Sequence, residues 1–543
     1  MSAIWKFLFD WDCEELWAAM FPSQGGTLRR ASSMQRVRQM VSPFGSMREQ
    51  AKSRIDGAAA ELNALSHGIW SHPETAFNEH HAHNLLTTFL ENDGFEQVEK
   101  NFILPTGFRA SYGFDGGRTI AVLAEYDAHG EHGHANGHNL TAECAVGVAL
   151  GVKAALESME PKVQKGRIVI LGCPAESSAG KQHFINAGVF FGVSAALMVS
   201  PFSRSVLKPR QEALEKVRYK FYGKSAHAGL APWEGHNALD AAVQCYNSIS
   251  AMRQHFDPEV RVYGVFVKGG SHLNMVPDET ELLFYIRAPT TVQLQPAVKK
   301  CEDCATGAAA SAQCSINIEY GSFYAELKTN EHLTALYKKH CSDLGLKFPK
   351  QENNNIVGLS SDMGNVSFVT PTIHSFFEIN TNAATHTREF ANAAGAPEAQ
   401  KATLLQAKAL ALTAIDLLQP GGSKVVDGIN REFQKISAPS EIVGNIPIGT
   451  SGPDSPLSVP TPPSDTVTNG PTSPAIEVQE DTKITDDPVQ DIGSTEQTTT
   501  ADNSKAAEGG NTGDEGVTKA TDEKTPQENG EIEAPEAQQS ATN

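Results

Sequence analysis

The sequence predicts an α/β protein: a larger domain of alternating helices and buried strands, with a smaller α+β domain inserted into it. Two short apolar runs, residues 118–125 (RTIAVLAE) and 167–173 (RIVILGC), flank an Ala/Val/Leu-rich stretch, 142–158, that is long enough for a helix. Strand, helix, strand of this kind favours parallel pairing with both sheet faces covered. Near residue 207 the period changes. Residues 215–222 (EKVRYKFY), 259–268 and 279–287 (ETELLFYIR) alternate, while 237–254 and 291–310 have helical spacing. That β-α-β-β-α order, with period-2 strands, predicts a small antiparallel sheet with helices on one face, a ferredoxin-like arrangement. Past residue 323 the helix/strand alternation of the larger domain resumes.

The expected organisation is therefore an α/β domain built from 46–206 and 323–435, with an α+β domain inserted at 207–322. At its start, residues 47–69 read as one helix, with Ile55, Leu62, Leu65 and Ile69 on one face, and 80–92 as a second. Residues 1–45 are expected to be a flexible appendage, and 436–543 a disordered acidic tail. The tail has no Phe, Trp, Tyr or Cys, so it cannot bury enough apolar surface to offset its ordering entropy.

Charge separates these parts. The 543-residue chain has a formal net charge of −20, of which the tail's 20 acidic residues and 4 lysines supply −16, leaving −4 for the rest. A near-neutral body has no basic excess with which to displace counterions, so nucleic acid is not the expected partner. No run approaches the roughly 18–20 consecutive apolar residues of a membrane span, so no membrane partner is expected. The apolar N-terminus carries Asp10, Asp12, Glu14 and Glu15, which suits neither a secretory nor a mitochondrial leader. A cytoplasmic or nuclear protein with reduced thiols is the expectation for its eight cysteines. Cys301 and Cys304 lie within an expected helix and have no second pair at metal-binding spacing. Arg29-Arg30-Ala31-Ser32 has the form favoured by basophilic kinases, which makes Ser32 a candidate regulatory site.

The stretch densest in chemistry is 125–140, EYDAHGEHGHANGHNL, which follows a strand and precedes a helix. Functional groups of open α/β sheets collect at such strand ends. His129, His132, His134 and His138 beside Asp127 and Glu131 suit either a transition metal or a polar Gly-rich loop. Glu176, in GCPAESS after the second strand, is placed to act as a general base or to face a helix start. The turn 360–367 (SSDMGNVS) and His386 in 385–387 are further candidates.

These motifs together resemble peptidase family M20, the zinc-dependent aminoacylases and dipeptidases. The resemblance runs from about Ile55 to Phe433 and is carried by SHPETAFNEHHAH, LPTGFRA, EYDA, GHNL, PAE, YGKSAHA, PWEGHNALDAA, the Gly269–Pro289 run, SSDMGNVS and THT. It implies a two-metal amide hydrolase using zinc or manganese, with an inserted lid that forms a homodimer. It further implies a branch acting on dipeptides that end in lysine, arginine or ornithine. By the same resemblance Glu176 is the general base, and His227 is a lid histidine that reaches across a dimer to the scissile carbonyl. Asn274 and Arg287 match positions that bind a substrate carboxylate, and Gly364 matches a glycine whose backbone approaches the ligand.

The departures concern the metals. The resemblance implies five ligand positions, of which His138 and His386 are kept. The other three hold Asn136 in place of Cys, Ser177 in place of Glu, and Ser200 in place of His. Amide and hydroxyl oxygens are weak donors for zinc, and two anionic charges are lost. The expectation is a catalytically impaired protein that binds a dipeptide or acyl-amino-acid ligand. The alternatives are an active dipeptidase with a remodelled, single-metal site, and a structural partner of an active paralogue.

Overall fold

The computed structural model describes residues 43–159, 165–349, 358–419 and 423–436. Ser32, the N-terminal appendage up to residue 42 and the acidic tail from 437 lie outside the described residues.

A six-stranded mixed sheet is built from β1 (Gln97–Lys100), β2 (Phe108–Phe114), β3 (Thr119–Ala124), β4 (Gly166–Gly172), β5 (Val193–Phe202) and β10 (Thr372–Glu378). Its order is β1-β2-β4-β3-β5-β10. β3, β4, β5 and β10 run parallel, and β1 and β2 are antiparallel additions at one edge. The central strand β3 is buried from Ile120 to Ala124, which explains its unbroken apolar sequence.

Helices α1 (Pro43–Gly57), α2 (Ala59–Trp70), α3 (His80–Asn92), α4 (His138–Glu157) and α5 (Lys181–Asn186) belong to this first stretch of chain. α4 crosses from β3 to β4 and packs against the sheet, α1 and α2, and the later helix α11 (Pro397–Leu418). By length and composition α4 is apolar enough to cross a membrane, yet it is the core helix of this sheet. The expected single helix over 47–69 is two. Gly57 ends α1, and Ala58, with φ −93° and ψ 5°, redirects the chain into α2.

The second sheet has the order β7-β8-β6-β9 and is wholly antiparallel. Its strands are β6 (Ala213–Tyr222), β7 (Arg261–Lys268), β8 (Glu279–Ala288) and β9 (Ser315–Tyr324), with α6 (Ala238–Met252) and α7 (Thr291–Ser311) on one face. The order expected from sequence stopped at the second helix, and β9 completes it. Val217, Tyr219 and Phe221 face α6 and α7 in a separate core, while Arg218 and Lys220 pair with Glu281 and Glu319 on the open face. Cys301 belongs to that core, and all seven described cysteines are free.

The chain returns through α8 (Glu331–Asp343), α9 (Met363–Ser367), β10, α10 (Arg388–Ala394), α11 and α12 (Ser423–Ile436). Asn330 and Thr387 cap α8 and α10 with side-chain oxygens that accept from backbone N–H groups three residues on.

Candidate functional site

The carboxyl ends of β3, β4 and β5 open into a cleft of about 520 Å³ that also touches the second sheet. It brings together Asn136, His138, Glu176, Ser177, Ser200, Arg287 and His386, seven of the residues singled out from sequence.

β3 delivers Glu125 and Asp127, both buried. Asp127 organises its surroundings. Its Oδ1 accepts from the Glu176 N–H (3.2 Å), and its Oδ2 accepts from the Ser177 N–H (3.1 Å) and the Ser177 hydroxyl (2.9 Å). His138, the first residue of α4, directs Nδ1 to the Asp127 carbonyl (2.8 Å) and Oδ1 (3.1 Å), and its Nε2 lies 3.6 Å from Glu125. Burial works against a charged imidazole here, but Asp127 outweighs it and raises His138 to about 10. His138 is therefore a cation held by two carboxylates. Gly137, at φ +70°, starts α4, and a Cβ there would meet Pro201 Cγ at 2.4 Å, so only glycine lets the loop approach β5 this closely.

β4 delivers Glu176 on a single tight turn flanked by two alanines in the left-handed region, Ala175 (φ +59°) and Ala179 (φ +57°). Non-glycine residues there store backbone strain. The turn is held by Glu79, whose Oε1 accepts from the Ala175 N–H at 2.8 Å. Burial and the carboxylates of Glu125 and Asp362 push Glu176 well above the ordinary carboxyl range.

Behind Glu176 lies an ion cluster that sequence reading did not find. Lys181, fully buried at the start of α5, pairs with Glu125 and places Nζ 2.6 Å from Asp362 Oδ1. Its backbone N–H also donates to Asp362 Oδ2 (2.9 Å). Burial alone would raise Glu125, yet Lys181 and His138 hold it low. Asp362 is raised to about 6, chiefly by burial. Among the described residues, Glu125, Glu176 and Asp362 form the one group whose donor atoms lie within 4.8 Å of one another.

β5 delivers Ser200, whose hydroxyl lies 2.9 Å from His374 Nε2; His374 Nδ1 lies 2.9 Å from Gln211 Nε2. His374, on β10, was also missed, and burial lowers it to about 4, so it is neutral. On the second sheet, Arg287 donates to Ser360 Oγ (2.8 Å), and no described carboxylate pairs with it. Tyr263, Tyr285 and Tyr324 line the wall around it.

Other sequence candidates lie elsewhere. Gly364 is buried in α9, where a Cβ would meet the Ala325 carbonyl at 1.9 Å; its close approach is to that strand end, and it is not on the cleft wall. His227 and Asn274 are exposed together on the lid loops, joined by the Ala228 N–H to the Asn274 carbonyl (2.9 Å). Neither lines this chain's cleft. His134 is buried and bonded to the Ile69 carbonyl (3.1 Å), a structural role. Cys173 is buried in the core under the sheet, its thiol pushed up by burial.

Comparison with known proteins places this architecture. Residues 214–313 match the peptidase dimerisation domain family. Human and mouse Xaa-Arg dipeptidases are each 41% identical to the chain, over 70% and 72% of its length and 90% and 92% of theirs. A p-aminobenzoyl-glutamate hydrolase polypeptide from Escherichia coli is 27% identical over 70% of this chain and 94% of that protein. Among solved structures, an aminohydrolase from Staphylococcus aureus superposes with a TM-score of 0.54 at 19% identity, covering 68% of this chain and all of that one. A dinuclear metal-binding M20 peptidase from Bacillus subtilis gives 0.50 at 19% identity, over 67% and 99%. A mixed-sheet α/β body carrying a dimerisation domain, and 41% identity to dipeptidases across nearly their whole length, show that the chain belongs to peptidase family M20, among the metal-dependent dipeptidases and amidohydrolases.

Proposed function

We propose that this family member binds a dipeptide or an N-acylated amino acid by its carboxylate and is impaired in hydrolysing it. The observation that carries the proposal is the buried Lys181 ammonium between Glu125 and Asp362, directly behind a cleft in which Arg287 has no carboxylate partner among the described residues. The protein's own cations, Lys181 and His138, balance the ionised carboxylates that a pair of metal ions would need. Asn136, Ser177 and Ser200 offer neutral oxygens, and two of these are already engaged, Ser177 with Asp127 and Ser200 with His374. These residues do not fit the two-ion centre of the family. Arg287 presents a planar, permanently charged fork suited to a ligand carboxylate.

A one-ion dipeptidase is the competing reading, and the convergence of Glu125, Glu176 and Asp362 is the observation on its side. Against it stands Lys181, which already serves two of those three groups. The lid's exposed His227 and Asn274 suit a homodimer in which each chain completes its partner's cleft.

The test measures thermal stabilisation and turnover with dipeptides ending in lysine or arginine and with their N-acyl counterparts. The expected result is stabilisation that disappears in Arg287→Ala, with no product by chromatography. Product formation that is abolished by Glu176→Gln would establish the one-ion dipeptidase instead.

A further inference from the structure

Three imidazoles at the cleft, two of them in its wall, have no part in the ion pairs and hydrogen bonds described above. His129 is fixed by paired backbone hydrogen bonds with Gly133 (2.8 and 2.9 Å), a tight loop that carries His132 between them. His386 is fixed by its N–H to the Ala135 carbonyl (3.0 Å), at φ +65°. The rings stand in a row. His129 and His132 have centroids 5.2 Å apart with planes 8° from parallel, and His129 and His386 are 5.8 Å apart at 28°.

No ring nitrogen of the three has a hydrogen-bond partner among the described residues, and His132 Nδ1 is buried without one. A buried, unpaired polar nitrogen is costly and calls for an explanation. On the same loop His138 bonds to Asp127, and His134 bonds through Nε2 to the Ile69 carbonyl while its Nδ1 is buried without a partner; the three rings of the row differ in having no partner at either nitrogen among the described residues.

The geometry points to a transition-metal site formed by His129, His132 and His386, which takes one borderline divalent ion such as Zn²⁺ or Cu²⁺. With a metal–nitrogen bond of about 2.0–2.1 Å, the centres of two imidazoles on one tetrahedral ion lie about 5 Å apart. His129 stands near that distance from each of the other two rings. All-imidazole donors without thiolate suit Zn²⁺, Cu²⁺ or Ni²⁺, and they exclude the hard, oxygen-seeking Mg²⁺ and Ca²⁺. The ring nitrogens do not converge in the present arrangement. His129 and His386 are exposed and His132 is half-buried, so the rings are free to turn, and the proposed site requires rotation about χ1 between staggered wells and about the broad χ2. The site shares His386 with the ligand positions implied by the family and adds two histidines that the family resemblance does not assign. His129 and His386 both line the cleft, so an ion held there faces its occupant.

The experiment uses the full chain, stripped with a chelator and titrated calorimetrically with ZnCl₂ alone. CuCl₂ is added in parallel to read nitrogen ligation by electron paramagnetic resonance. The expected result is one ion per chain with imidazole nitrogen couplings. Affinity falls by at least about tenfold in His129→Gln/His132→Gln, where unchanged melting of the metal-free variant shows that the fold is intact. His138→Gln keeps the ion. No binding of either metal, or equal affinity in the double variant, overturns the site and leaves the carboxylate-reading cleft untouched. An ion lost in His138→Gln but kept in the double variant sits instead in the family's own centre, and overturns both readings.

Discussion

Lys181 Nζ and Asp362 Oδ1 meet at 2.6 Å with neither side chain exposed to solvent, and they join α5 to the turn before α9. Lys181 also neutralises Glu125, so a single side chain supports two carboxylates. Removing one partner of a buried pair is far more damaging than removing both, because the survivors stay charged and desolvated. Lys181→Met is expected to lower unfolding free energy by about 3–5 kcal/mol in urea denaturation. A loss under about 1 kcal/mol would mean that the carboxylates protonate or recruit another cation readily, and the cluster would then be no obstacle to a metal.

Glu143 gives a separate, pH-dependent prediction. It is fully buried on α4, and burial raises it to about 8, outweighing the polar contacts of Ser66 and Gln400, neither of which makes a well-formed hydrogen bond to it. In the unfolded chain it titrates near its ordinary value of 4.5. Between those two values the folded state holds a proton that the unfolded state has released. Stability from this group is therefore complete below about pH 4.5 and is lost as pH rises through about 8. Glu143→Gln should remove that loss. The gap in unfolding free energy between variant and wild type should widen in the variant's favour from about pH 5 to about pH 8.5. A gap independent of pH would mean that Glu143 ionises freely in the fold.

The lid predicts an assembly. β7 is an edge strand with Val265 60% and Val267 52% exposed, and the neighbouring loops expose Trp233 and Leu273. An uncovered apolar edge is a template for pairing, and soluble proteins usually blunt or cover one. Pairing with a second lid is the expected cover, and it would also bury the His227 loop. Val265→Asp should convert a dimer to a monomer in sedimentation velocity while leaving the melting of the larger sheet unchanged. A wild-type chain that sediments as a monomer would leave His227 without a cleft to complete.

How far the site could be read from sequence follows from the distance between its parts. Glu176 was legible because it directly follows an apolar strand, and His138 because it begins a long apolar helix. Lys181 gave no local signal, since its partners lie 56 and 181 positions away. His374 is equally silent in sequence, because it meets Ser200 across two neighbouring parallel strands. Strand β9 went unread because its alternation, ending in FYAELK, merges with the start of the returning domain. The break at Ala58 was hidden because Gly57 interrupts the helix without disturbing its apolar spacing. Periodicity reports which face is buried; it does not report which polar groups meet inside.

Restoring the family donors tests the argument about the metals most directly. Asn136→Cys, Ser177→Glu and Ser200→His together return one thiolate, one carboxylate and one imidazole to the cleft. The structure adds a condition to this experiment. Ser200 Oγ lies 2.9 Å from His374 Nε2 at the cleft wall, so an imidazole at position 200 must displace His374 or turn out into the cleft. Ser200→His alone should therefore destabilise by about 1–3 kcal/mol, the usual cost of overpacking. The triple variant should hold more zinc per chain than wild type by elemental analysis, and adding His374→Ala should raise occupancy further by making space. The new carboxylate at 177 would compete with Asp127 for the local N–H groups, so occupancy should rise with zinc concentration as the ion draws Glu away from that turn. If both variants hold no more zinc than the natural chain, then the Lys181 and His138 cations, rather than the three missing donors, keep metal out of the cleft. Lys181→Met in the triple background would then be the substitution that admits it.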